Sequence, residues 1–179
     1  MTHSPSSIPG FQAEPDSLAA VASASVLVAD FANADSSGKL NMIGGALQYI
    51  SRVQMPGFGV GLPPMTVVVI IDVPAEYGQT DFSLVLTLRD GAGKPVQVPA
   101  QAPGESQAMR ISQIANARRG PEQPTGILGR VQLVMSLATG IPLQPGEAYY
   151  WELEINGHTD RNWRASFYVY PDPPQPIIG

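Results

Sequence analysis

Residues 141–170 read IPLQPGEAYYWELEINGHTDRNWRASFYVY, and this stretch decides the fold. From Tyr149 the side chains alternate: Tyr149, Trp151, Leu153 and Ile155 point one way, Tyr150, Glu152, Glu154 and Asn156 the other. A period of two marks a strand with one buried and one solvated face. Asn156-Gly157 opens a turn, because both residues tolerate positive φ. The chain returns with Trp163, Ala165, Phe167 and Val169 on one face and Arg164, Ser166, Tyr168 and Tyr170 on the other. Both tryptophans of the protein therefore fall in one antiparallel hairpin.

The run into the hairpin is the most specific motif in the chain. Leu143, Pro145, Gly146 and Tyr149 have the spacing Leu-x-Pro-Gly-x-x-Tyr. It resembles the tyrosine corner of immunoglobulin-like and fibronectin type III sandwiches, where a tyrosine opening a strand bonds back to the corner backbone. The plainer alternative is a Pro-Gly turn before a strand.

Upstream, strand patterns recur. Ser25–Phe31 reads as a strand and Asn33–Lys39 as a polar turn. Leu40–Arg52 reads as one long strand bent at Gly44-Gly45. Met65–Asp72 (MTVVVIID) is apolar on both faces, as in a strand covered on both sides. Phe82, Leu84, Leu86 and Leu88 alternate with Ser83, Val85, Thr87 and Arg89. Asp90–Lys94 turns into Val96–Val98, Ala108–Ala115 gives a weaker strand, and Val131, Leu133, Met135 and Leu137 alternate again. Eight or nine strands with no long amphipathic helix predict an all-β, two-sheet antiparallel β-sandwich of immunoglobulin-like type, with a jelly roll or C2-like sandwich as alternatives.

The domain is expected over residues 25–170, between an N-terminal arm (1–24) and a Pro-rich C-terminal arm (171–179). Asp16 or Ser17 caps a short helix over Leu18–Val21 in this reading. Apolar anchors stand out in both arms, Ile8 and Phe11 in one and Ile177 and Ile178 in the other. Met55 and Phe58 are further apolar candidates, in a Pro/Gly loop over 55–64. These six residues are the expected interface.

Composition narrows the function classes. Charged residues are 14% of the 179-residue chain, against about 25% in typical domains, and a weakly charged surface can lie against protein without desolvating many ions. A net charge of −5 argues against nucleic-acid or anionic-membrane partners, which call for basic patches. There is no cysteine, hence no disulfide or thiolate chemistry. No apolar run approaches the roughly 20 residues of a membrane span, and the amino terminus lacks a signal-peptide pattern.

The opening VLVADFANADSSGKLNMIGGALQYI, with its Ala-Asp, Gly-Lys-Leu-Asn and Ile-Gly-Gly, resembles an uncharacterised family of bacterial and phage proteins that also closes on a Pro-Gly-x-Tyr hairpin. The likeness spans roughly Val26 to Val169. It implies domain boundaries and brings no catalytic residues.

Sites of chemistry are sparse. His158 and Asp160 with a serine are the only triad candidates, without a Gly-x-Ser-x-Gly elbow. Asp30, Asp35 and Asp72 fall where C2-like sandwiches bind calcium, but lack dense ligand spacing, and turn chemistry accounts for Asp35. Gly57-Phe58-Gly59-Val60-Gly61 precedes prolines rather than a helix, so it is no phosphate cradle. Arg110, Arg118, Arg119 and Arg130 are the one basic concentration, read as solvated loop or as a dock for an acidic surface. Trp151, Trp163 and Phe167 read as core, with a sugar platform as the alternative. The resulting expectation is a non-enzymatic structural or interaction protein without cofactor or metal. It would be a phage or phage-like particle component, a capsid decoration or minor subunit, partnered by other subunits or copies of itself in a virion or cytoplasmic assembly. A glycan- or calcium-binding module is the alternative.

Overall fold

The computed structural model describes residues 15–55, 59–100, 104–117, 124, 126–137 and 141–171. In chain order, helix α1 (Pro15–Val21) is followed by strands β1 (Ser23–Ala29), β2 (Phe31–Ala34), β3 (Leu40–Ile43), β4 (Tyr49–Ile50), β5 (Val53–Met55), β6 (Gly59–Gly61) and β7 (Met65–Val73). After a 3-10 turn at Ala75–Tyr77 come β8 (Asp81–Asp90), β9 (Gln97–Pro99), β10 (Ser106–Ala108), β11 (Arg110–Asn116), β12 (Gly129–Leu137), β13 (Ala148–Ile155) and β14 (His158–Val169). Two sheets, β1-β7-β12 and β11-β8-β13-β14-β4, form the β-sandwich, and three two-stranded hairpins decorate it. All main pairings are antiparallel except β4, which runs parallel to β14 through Tyr168↔Tyr49 and Val169↔Ile50.

The alternation read from sequence is the core. Val26, Val28, Val67, Val69 and Ile71 from one sheet meet Leu84, Leu88, Trp151, Leu153, Phe167 and Val169 from the other, all buried. Met65–Val73 is buried on both faces over its first five residues. Its outward Thr66 and Val68 are buried where β2 lies against β7 and β12.

Two expectations change. Leu40–Arg52 is not one strand but β3, a bend and β4. Gly44 sits at φ +60°, and a Cβ there would fall 2.1 Å from the Asp30 carboxylate, so the chain turns away from the ladder at this glycine. Packing also reaches back before residue 25. Leu18 on α1 is fully buried in the core cluster, which also includes Ala24; Ala19 and Ala22 pack against it, and β1 begins at Ser23.

Candidate interaction surfaces

The corner is built as its spacing implied. Tyr149 opens β13 buried, and its hydroxyl oxygen accepts the Gln144 backbone N–H at 2.9 Å. Gly146 takes φ +80° and donates its N–H to the Val169 carbonyl at 2.8 Å. Leu143 is buried beneath the corner, and the Tyr149 ring stacks on Phe167 at 6.0 Å. These contacts fix the crossing that brings β13 into the five-stranded sheet.

On the outward face of that sheet, register sets side chains in rows. Arg110, Thr87, Glu152 and Arg164 run across four strands, with Arg89, Tyr150 and Ser166 in the next row. Glu152, expected in solvent, is only 6% exposed. Its two carboxylate oxygens take Arg89 Nε at 2.5 Å and Arg164 Nη2 at 2.6 Å. Arg89 Nη1 also donates to the Gly93 carbonyl at 2.9 Å, and the Arg164 guanidinium lies 4.9 Å from the Tyr150 ring centroid. Burial of the carboxylate is tolerated because each oxygen has a cationic donor. The cluster braces three strands, β8, β13 and β14.

The sequence candidates for chemistry separate in space. Asp35 is a turn residue: its Oδ1 accepts from Ser37 N–H, Ser37 Oγ and Lys39 N–H at 2.8, 2.7 and 3.0 Å. Those donors hold its carboxyl below the ordinary value of 3.8. Asp72 instead forms a two-pronged pair with Arg130, 2.7 and 3.0 Å, on the outer face of the three-stranded sheet. Among the described residues no three His, Asp or Glu side chains converge as metal ligands. Arg110 and Arg130 stand on different sheets, so the basic concentration in sequence is not one patch; Arg118 and Arg119 lie outside the described residues. Trp151, Trp163 and Phe167 are buried, which removes them as a sugar platform. His158 and Asp160 meet at a cleft of about 250 Å³ with Ala19, Ala20, Thr159 and Trp163. No serine lines it.

Apolar exposure has a pattern the sequence did not announce. A second cleft, about 230 Å³, is lined by Asp30, Leu47, Tyr49, Ile50, Val53 and Met65 among others. Ten large apolar or aromatic residues are exposed among the described residues. Two of them, Tyr49 and Val53, line this cleft, while Phe31 follows the lining residue Asp30 in the chain and pairs with Ile43. Val60 sits on β6 opposite β5, and Tyr170 stacks on Tyr49 at 5.4 Å. The expected apolar loop is here the β5–β6 hairpin. Of the predicted interface residues, Met55 lies in β5 with its side chain outside the described set. Ile8, Phe11, Phe58, Ile177 and Ile178 lie outside it altogether. Sequence reading missed Phe31, Ile43, Tyr49, Val53 and Val60 as a group. The parallel β4–β14 pairing and the bend at Gly44 position them; Gly44-Gly45 marks the bend in the sequence, but nothing local marks the pairing. No helix among the described residues is long and apolar enough to cross a membrane.

Comparison with protein-family models yields no match, and a search of curated proteins yields none.

Proposed function

We propose that this chain is a non-enzymatic interaction protein that takes its place in a larger protein assembly through the apolar end of the sandwich. The observation that carries the reading is the exposure of Tyr49 and Val53 at one cleft, with Tyr170 stacked on Tyr49, Val60 on the strand paired with β5, and the exposed Phe31–Ile43 pair on the segment after Asp30. Contiguous exposed apolar surface is costly in a lone soluble domain and marks a contact site. Tyr170, stacked on Tyr49, lies at this same end. The resemblance of the opening segment to bacterial and phage proteins makes a phage or phage-like particle, as decoration or minor subunit, the setting of choice.

The test uses the full chain in its native source. Particles are purified by sedimentation and examined by electron microscopy. The wild-type chain is expected to travel with them, and a Val53→Asp, Val60→Asp double variant to be lost from them while melting as wild type does. A chain that remains a monodisperse monomer, with no particle association, would overturn the reading in favour of a ligand-binding module.

A further inference from the structure

Among the described residues strand β11 is an open sheet edge. It borders β8 on one side in unbroken register from Arg110↔Thr87 to Asn116↔Asp81. Its other edge faces outward: Arg110, Ser112, Gln113 and Ile114 are all exposed, Ile114 to 68%. Exposure of both Gln113 and its neighbours means that both faces of the strand are open at its middle. The other lateral elements are accompanied. β2 lies against β12, β1 lies against β14, and β4 adds to the far side of β14. Natural edges are blunted by proline, lysine, inward charge or a bulge. β11 (RISQIAN) has none of these, and its single charge, Arg110, is at its first position.

The hydrogen-bond phase shows which groups are free. Leu88 N–H donates to the Met109 carbonyl at 3.0 Å, and on the other side of β8 Asn156 N–H donates to the Ser83 carbonyl at 3.0 Å. Directions alternate along a strand. Residues 111, 113 and 115 therefore exchange bonds with β8, while Arg110, Ser112, Ile114 and Asn116 turn their N–H and C=O groups away from the sheet.

We propose that this edge pairs with β11 of a second copy of the chain, antiparallel about a two-fold axis at Gln113, joining two five-stranded sheets into one. This symmetry fits both the pleat and the chemistry. It sets Ser112 opposite Ile114 of the second copy and Arg110 opposite Asn116, so every outward-turned N–H and C=O meets a partner in phase. No like charges oppose each other, and the two Gln113 side chains meet as an amide pair at the axis. Ile114, otherwise an isolated apolar side chain on a polar face, is flanked by the neighbouring strand. The closed two-fold arrangement consumes the edge in both copies and stops at a dimer. This deepens the assembly reading by naming one partner, and its test does not depend on the apolar end.

The natural chain has no cysteine, so a single engineered one can pair only with itself. In this register the two Gln113 positions form a non-hydrogen-bonded pair, with Cα atoms about 4.5 Å apart, inside the disulfide range of about 4.4–6.8 Å. Gln113→Cys should therefore oxidise to a covalent dimer on a non-reducing gel, while Ser112→Cys, one position out of phase, should cross-link at least tenfold more slowly. Analytical ultracentrifugation of the wild-type chain should give twice the monomer mass. Ser112→Pro removes an N–H directed at the partner rather than at β8, and should give monomer mass with a cooperative melt whose midpoint no longer depends on protein concentration. A wild-type monomer at every concentration, equal cross-linking at both positions, or a dimer that persists in Ser112→Pro would each overturn the pairing. None of these results bears on Val53 and Val60, so the proposed function stands or falls separately.

Discussion

The two ends of the sandwich solve the same problem in opposite ways. A β-sandwich leaves its core open at the loops, where strands stop before the apolar layer does. At the Asn156-Gly157 end, α1 closes the opening: Leu18 is fully buried in the core, and the cleft that remains has His158, Thr159 and Asp160 on its lip. At the opposite end the chain offers hairpins rather than a plug, and aromatic and branched side chains stay in solvent. The lesson is that the second end is not a failure of packing. Among the described residues the chain seals its core where it brings in an apolar anchor of its own and leaves apolar side chains exposed at the other end.

The largest test of this contrast is Leu18→Ala. Truncating a fully buried leucine should lower unfolding free energy by about 2–5 kcal/mol, measured by denaturant melts with the slope unchanged. A loss below about 1 kcal/mol would mean that the helix merely rests on the domain, and that the two ends are alike.

Next in size is the corner, which stiffens the open end from beneath. Tyr149→Phe removes the hydroxyl that accepts the Gln144 N–H and leaves a part-buried donor unmet, at a cost of about 1–3 kcal/mol. Tyr150→Phe should cost far less, because Tyr150 meets Arg164 through its ring face, which phenylalanine keeps. Equal losses in the two variants would remove the corner as a stabilising element.

The apolar rim itself should contribute little to folding. Val53→Ser with Val60→Ser alters two partly exposed side chains, and surface changes of this kind are usually worth within about 0.5 kcal/mol each. The expected result is an unchanged melt together with weakened association. A marked drop in stability would show that the rim covers its own domain.

How far all this could be read in the sequence follows from the range of the forces involved. The hairpin, the corner and the double-sided burial of Met65–Val73 are local patterns, set by period and by Pro-Gly chemistry, and each was legible. Leu40–Arg52 misled because its β-branched and aromatic residues suggest a strand, whereas Gly44 is bent against Asp30, fourteen positions earlier in the chain. The Glu152 brace and the Tyr49–Tyr170 stack were hidden for the same reason. The brace depends on β8 lying beside β13 and the stack on β4 lying beside β14, and both are properties of the sheet and not of any segment. Leu18 sits in a stretch too short to show helical periodicity, so its anchoring role was invisible even though the helix itself was not.

The smallest effect concerns the β2–β3 hairpin that carries Phe31 and Ile43 at the open end. Asp35 turns this hairpin by accepting from Ser37 Oγ, Lys39 N–H and Ser37 N–H, and these donors favour its charged form, so its carboxyl is held below 3.8 in the folded chain. A group with a depressed folded pKa contributes stability that is present above its unfolded value and is lost as pH falls through the folded one. Acidification below the ordinary carboxylate range should therefore loosen the turn, while nothing should happen to it between pH 5 and 8. Amide exchange at Ser37 and Lys39 is the direct readout: protection should fall as pH is lowered through the folded value, after correction for intrinsic exchange. Asp35→Asn, which keeps an acceptor without the charge, should flatten that dependence. Asp35 is fully exposed, so solvent screens the interaction and the global melt should barely move. A strong acid shift of the whole unfolding curve in Asp35→Asn would tie this turn to the core of the sandwich, and the open end would then be as firmly held as the sealed one.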